Sequence, residues 1–86
     1  MKYYLIRYKG EPAYVGSTKI AIERRLEQHF AIAPRRQRCR LYQAILKDPQ
    51  DWTIELLEES NGNRKATEKR LKEEWNTPYN ETRGLC

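Results

Sequence analysis

Long apolar runs are missing from this chain. None exceeds a few residues, so neither a membrane span nor the apolar stretch of a secretory leader can be drawn anywhere in it. The expectation is a soluble, cytoplasmic protein with no membrane partner. Cysteine is scarce as well. Cys39 and Cys86 stand far apart with no second pair, which fits neither a disulfide scaffold nor a paired-cysteine metal knuckle. Both read as free thiols in a reducing compartment. Histidine occurs once, at His29, and together with two dispersed cysteines it is too little for a tetrahedral zinc site. There is no GxSxG elbow, no Walker loop and no HExxH, which removes the common hydrolase, nucleotide and zinc-protease classes. Internal repeats and low-complexity segments are absent too.

What is present fits one small domain. Eighty-six residues at 10.3 kDa leave no room for a second core, so residues 1–86 read as a single unit. Hydrophobic residues are 38% and charged residues 34%, polar but sufficient for one core, which makes wholesale disorder a poor reading. The net charge of +5 is unevenly spread. Residues 1–46 carry 10 Lys or Arg against 3 Glu, whereas residues 47–86 carry 7 against 9 acidic side chains. Arg35, Arg36, Arg38 and Arg40 form a cluster of four guanidinium groups. Such asymmetry points to a face that attracts a polyanion, with nucleic acid the leading partner. The bland alternative is a solvated loop that keeps a small protein soluble.

Periodicity orders the elements. Tyr3-Tyr4-Leu5-Ile6-Arg7-Tyr8 is aromatic and β-branched, Lys9 to Pro12 interrupts it, and Ala13-Tyr14-Val15-Gly16 resumes. This predicts a β-hairpin whose loop exceeds two residues, with Pro12 at its edge. Ser17 or Thr18 is placed to cap a helix reaching about Phe30. On it Ile22, Leu26 and Phe30 form an apolar stripe, Arg25 and His29 share that side, and Arg24 points away. Leu41, Ala44, Ile45 and Leu46 predict a short second helix ended by Lys47-Asp48-Pro49. Trp52, Ile54 and Leu56 alternate with polar residues as one buried face of a strand. Asn61-Gly62-Asn63 is a turn, and Arg64 to Trp75 is helix-prone, with Pro78 stopping it.

Some residues stand out chemically. Glu68 shares the inward stripe of the last helix with Leu71 and Trp75, where a carboxylate needs a partner; Glu74 lies near the same stripe, and spacing alone does not choose between them. Arg25 and His29 are one turn apart. Taken singly they are interfacial side chains reaching water, just as Tyr4, Tyr14 and Tyr79 are ordinary core or rim aromatics. Together they are the parts of phosphodiester chemistry: a carboxylate for a divalent cation, a cation for the phosphate, and phenol or imidazole for proton transfer.

These residues resemble the GIY-YIG endonuclease family. The two-part signature is matched by Lys2-Tyr3-Tyr4 and, ten residues after Tyr4, by Tyr14-Val15-Gly16; Arg25 and His29 follow on the next helix. Glu68 precedes Asn80 by twelve residues, in a run similar to the nuclease domain of excision-repair incision proteins. The resemblance implies an α+β fold, a three-stranded antiparallel sheet flanked by three helices in the order β-β-α-α-β-α. It also implies that Glu68 holds one Mg²⁺ or Mn²⁺ and that Arg25 steadies the scissile phosphate. Tyr4 and Tyr14 would face each other across the hairpin beside an activated water, with His29 in the same catalytic set and Gly16 and Asn80 in supporting, structural places. The chain departs from the family in having Lys2 where glycine is usual and in lacking an appended DNA-recognition module.

The expected activity is metal-dependent hydrolysis of DNA phosphodiesters with low intrinsic sequence specificity. Lys19, Arg35, Arg36, Arg38 and Arg40 would grip the backbone of double-stranded or structured DNA, and such contacts carry little sequence information. Targeting would then fall to a partner protein or to a homo-oligomer. A non-catalytic nucleic-acid-binding module on the same fold and an RNA nuclease are the alternative readings.

Overall fold

Lys9 and Gly10 both hold positive φ, 52° and 82°. That pair of left-handed residues makes the tight turn matching the right-handed twist of antiparallel strands. Strand β1 (Lys2–Tyr8) thus returns directly as β2 (Glu11–Thr18), with Tyr8 opposite Glu11. The turn is therefore two residues long, shorter than the spacing predicts. Pro12 lies within β2, and this is tolerated because β2 is an outer strand and the register slips beside it, between Ile6–Tyr14 and Arg7–Pro12.

The computed structural model describes residues 1–36 and 39–77. After the hairpin come α1 (Ile22–Ile32), a 3₁₀ turn at Ala33–Arg35, α2 (Arg40–Lys47), β3 (Trp52–Glu59) and α3 (Arg64–Trp75). The sheet is antiparallel throughout, ordered β2-β1-β3. It is the α+β arrangement of three strands and three helices expected from the sequence, with the 3₁₀ turn as an addition.

Strand alternation sends the side chains of β1 to two different cores. Tyr4 and Ile6 join Ala13, Ala33, Leu41, Tyr42, Ile45 and Trp52 on the side of α1 and α2. Tyr3 and Leu5 meet Val15 and Leu71 on the side of α3. The middle strand is consequently buried on both faces from Tyr3 to Ile6.

Helix α1 begins later than the sequence indicates. Ala21 occupies the N-cap position without a side-chain cap bond, while Ser17 and Thr18 remain in β2. Thr18 Oγ1 accepts from the Ile20 amide instead, in a local turn, and Ser17 is drawn elsewhere. Helix α3 has the predicted bounds. Asn63 caps it by accepting from the Ala66 amide at 3.1 Å, and Asn76 closes it in the left-handed conformation. Two apolar expectations need correction: Leu56, on the outer strand β3, and Leu46, on α2, each keep nearly half their surface open. Cys39 is fully buried and disulfide-bonded, not the free thiol expected, because separation along the chain does not bar pairing in space. Cys86 lies outside the described residues. Among the described residues no helix is long and apolar enough to cross a membrane.

Candidate active site

Gly16 explains the small residue that closes the second motif. It pairs with Tyr4 across the hairpin, and a Cβ there would overlap the Tyr4 hydroxyl and crowd the Tyr14 ring. The missing side chain is the space in which the phenol lies. Tyr14 pairs with Ile6, two positions along from Tyr4 on the same face. The two tyrosines are therefore diagonal neighbours, ring centroids 6.5 Å apart, rather than directly opposed.

Helix α1 brings His29 and Arg25 onto this face. Tyr4 Oη and His29 Nε2 share a hydrogen bond of 2.8 Å, and Arg25 Nε donates to the same Oη at 3.4 Å. Arg25 Nη1 also donates to Gln28 Oε1 at 3.0 Å, which holds the guanidinium along its helix. Tyr14 meets the edge of the His29 ring at 5.6 Å between centroids. Arg24 is exposed, as helical phase predicts. Tyr42, on α2, is a member that sequence reasoning missed: its hydroxyl lies 2.9 Å from His29 Nδ1. Both ring nitrogens of the one histidine are thus engaged, in a place only 1% exposed.

Electrostatics follow from this burial. Desolvation holds the Tyr4 phenol above its usual range, opposed by the hydrogen bond from Arg25. Tyr14 is pushed higher still, first by burial and then by the neighbouring phenols. His29 is lowered to about 4, first by burial and second by the charge of Arg25, so its ring is neutral at pH 7. The pair of Tyr4 and His29 accordingly offers a protonated phenol against a neutral imidazole.

Glu68 arrives from the other layer. Helix α3 lies against the outer strand β2, where Ser17 Oγ donates to Glu68 Oε1 at 2.5 Å. Ser17 pairs with Tyr3, on the α3 side, and this use of its hydroxyl is a second feature the sequence did not reveal. Arg64, one turn earlier, approaches the same oxygen at 3.8 Å. The negative charge of Glu68 helps raise both Tyr4 and Tyr14, so the carboxylate and the phenols act on one another across the strand. Glu74 is exposed and takes no part.

A divalent cation can be tested against these donors. Among the described residues no three His, Cys, Asp or Glu side chains converge, and Glu68 is the carboxylate beside the phenols. Its recorded contacts fall on Oε1. A single carboxylate oxygen suits Mg²⁺ or Mn²⁺, hard ions that keep several waters and take substrate phosphate as a further ligand. It suits neither zinc nor a closed protein cage.

The basic residues border this cluster: burial raises the Tyr42 phenol, and the charge of Arg36 opposes that rise. Lys19, Arg35, Arg36 and Arg40 are all exposed, on the β2–α1 connection, the end of the 3₁₀ turn, the residue after it and the first turn of α2. Arg38, Tyr79 and Asn80 fall outside the described residues.

Neither a curated protein nor a solved structure matches the chain. The family model of the GIY-YIG catalytic domain does, over residues 2–80, which takes in both strands of the hairpin and all three helices. On this match the chain belongs to the GIY-YIG family, and its activity class is that of a nuclease.

Proposed function

We propose that the protein is a divalent-metal-dependent endonuclease that hydrolyses DNA phosphodiester bonds with little sequence preference. The observation that carries the reading is the buried cluster of Tyr4, His29 and Arg25 within the field of the Glu68 carboxylate. A module that only binds nucleic acid has no use for a buried phenol–imidazole pair at the rim of its sheet. The exposed arginines of the 3₁₀ turn and α2 supply backbone affinity without base readout.

Each side chain has a part in hydrolysis. The cation held by Glu68 supplies Lewis acidity toward the phosphate when bound. Arg25, charged at any working pH, steadies the scissile phosphate and keeps the Tyr4 oxygen oriented. Tyr4 takes the proton of the attacking water as its own passes to His29 Nε2, so no free phenolate is needed at neutral pH. Tyr14, beside Tyr4 and His29, orients the water.

The test is nicking of supercoiled plasmid with Mg²⁺, with Mn²⁺ and with excess EDTA. Glu68→Ala is expected to abolish cleavage while circular dichroism stays that of the folded protein. Glu74→Ala should cut normally. Full activity in Glu68→Ala, or in EDTA, would refute the reading; preferential cleavage of a matched RNA would reassign the substrate.

A further inference from the structure

We propose that Tyr42 is a positioning residue that sets the tautomer of His29 and so aims the Tyr4 hydroxyl proton at Nε2. The proposal rests on the nuclease reading only for its effect on rate. Tyr4 Oη has two neighbours within bonding reach, Arg25 Nε at 3.4 Å and His29 Nε2 at 2.8 Å. A guanidinium only donates, so Arg25 occupies a lone pair of Oη and cannot take its proton. Among the described residues the acceptor left for that proton is Nε2.

Nε2 accepts only when the neutral ring carries its hydrogen on Nδ1. The ring is 1% exposed, so water does not serve as partner for that N–H, and the Tyr42 hydroxyl at 2.9 Å is the acceptor. In the other tautomer Nε2–H would donate to Tyr4 Oη alongside Arg25, and the Tyr4 proton would be left buried without an acceptor. Deleting the Tyr42 oxygen removes this preference. Nδ1–H would then be the orphan in this tautomer just as the Tyr4 O–H is in the other, so each form leaves one buried donor without a partner.

The groups facing the imidazole are Tyr4 from β1, Tyr14 from β2, Arg25 from its own helix and Tyr42 from α2. Arg25 alone among them is charged at pH 7, and its charge disfavours a second proton on the ring. The choice is thus between two neutral forms. Helix α2 has a role in the chemistry through one oxygen atom, although it bears none of the signature residues.

His29 is the only histidine in the chain, so ¹⁵N-labelled protein gives a single imidazole to read. At pH 7 the wild type should show a protonated Nδ1 and an imine-like Nε2. Tyr42→Phe should show both tautomers populated, and Tyr42→Leu gives the same comparison if the phenyl variant does not fold. A wild type protonated on Nε2, or a tautomer unchanged by either substitution, would overturn the proposal. In cleavage, Tyr42→Phe should lower kcat several-fold with KM unchanged, the loss expected when the proton acceptor is turned away in part of the molecules. If the wild type does not cleave, the nuclease reading fails by itself, and the tautomer comparison still decides the role of Tyr42.

Discussion

Three consecutive kinds of tyrosine environment separate chemistry from packing. Tyr4 Oη is bonded to His29 and Arg25, Tyr14 sits edge-on to His29, and Tyr3 is buried on the far face with no hydrogen-bond partner for its hydroxyl among the described residues. Tyr4→Phe and Tyr14→Phe should therefore reduce turnover by ~10²–10⁴-fold and leave DNA affinity nearly unchanged, as single-turnover and binding measurements can show. Tyr3→Phe should cut at the wild-type rate. A separate expectation concerns pH and needs no substrate. The pKa of His29 falls from 6.5 when unfolded to about 4 when folded, so the unfolded chain binds the extra proton first. Stability is full above pH 6.5 and is lost as pH falls toward 4, by roughly 3 kcal/mol for a shift of this size. In denaturant melts, the stability that wild type loses between pH 7 and pH 4 should exceed the loss in His29→Gln by that amount. Equal acid sensitivity in the two proteins would mean that the ring is not buried in its neutral form.

Elements were legible to different depths. The last helix, Arg64–Trp75, coincides with its sequence reading because a turn cluster, a strong run of helix formers and an N-cap all agree. Asn63→Ala should consequently cost about 1 kcal/mol in thermal or chemical unfolding, with cleavage unaffected at temperatures where the protein is folded. The start of α1 was misplaced because Ser17 and Thr18 have the chemistry of caps but are engaged by Glu68 and by the Ile20 amide. The hairpin was legible and its turn was not: Lys9 takes a left-handed conformation usually left to glycine or asparagine, and Pro12 sits beside a register slip. The meeting of Tyr4, Tyr14, Arg25 and His29 was readable because strand and helix periods set the faces of adjacent elements. Tyr42 was not, since its contact depends on how α2 settles against α1, and that is a matter of tertiary packing.

At the scale of the molecule, charge and chemistry occupy neighbouring but distinct places. Lys19, Arg35, Arg36 and Arg40 are exposed, whereas the phenols and the imidazole are largely enclosed. Replacing Arg35, Arg36, Arg38 and Arg40 together should weaken binding to unrelated duplexes by one common factor. The slope of log affinity against log salt should flatten by up to ~0.9 for each lost phosphate contact. An unchanged slope would show the cluster to be only a solvated surface.

The site is split between the two sides of one thin sheet. Its phenols belong to the core under α1 and α2, and its carboxylate rides on α3, which is anchored mainly by Leu71 and Trp75 against Tyr3, Leu5 and Val15. On the proposed role of Glu68, such a nuclease would be safe by construction. If Glu68 holds the ion as proposed, a nascent or heat-loosened chain whose last helix has come away would lack the carboxylate at β2 and would leave nucleic acid intact. Cutting competence would then be a certificate that both layers are closed, issued anew each time α3 docks.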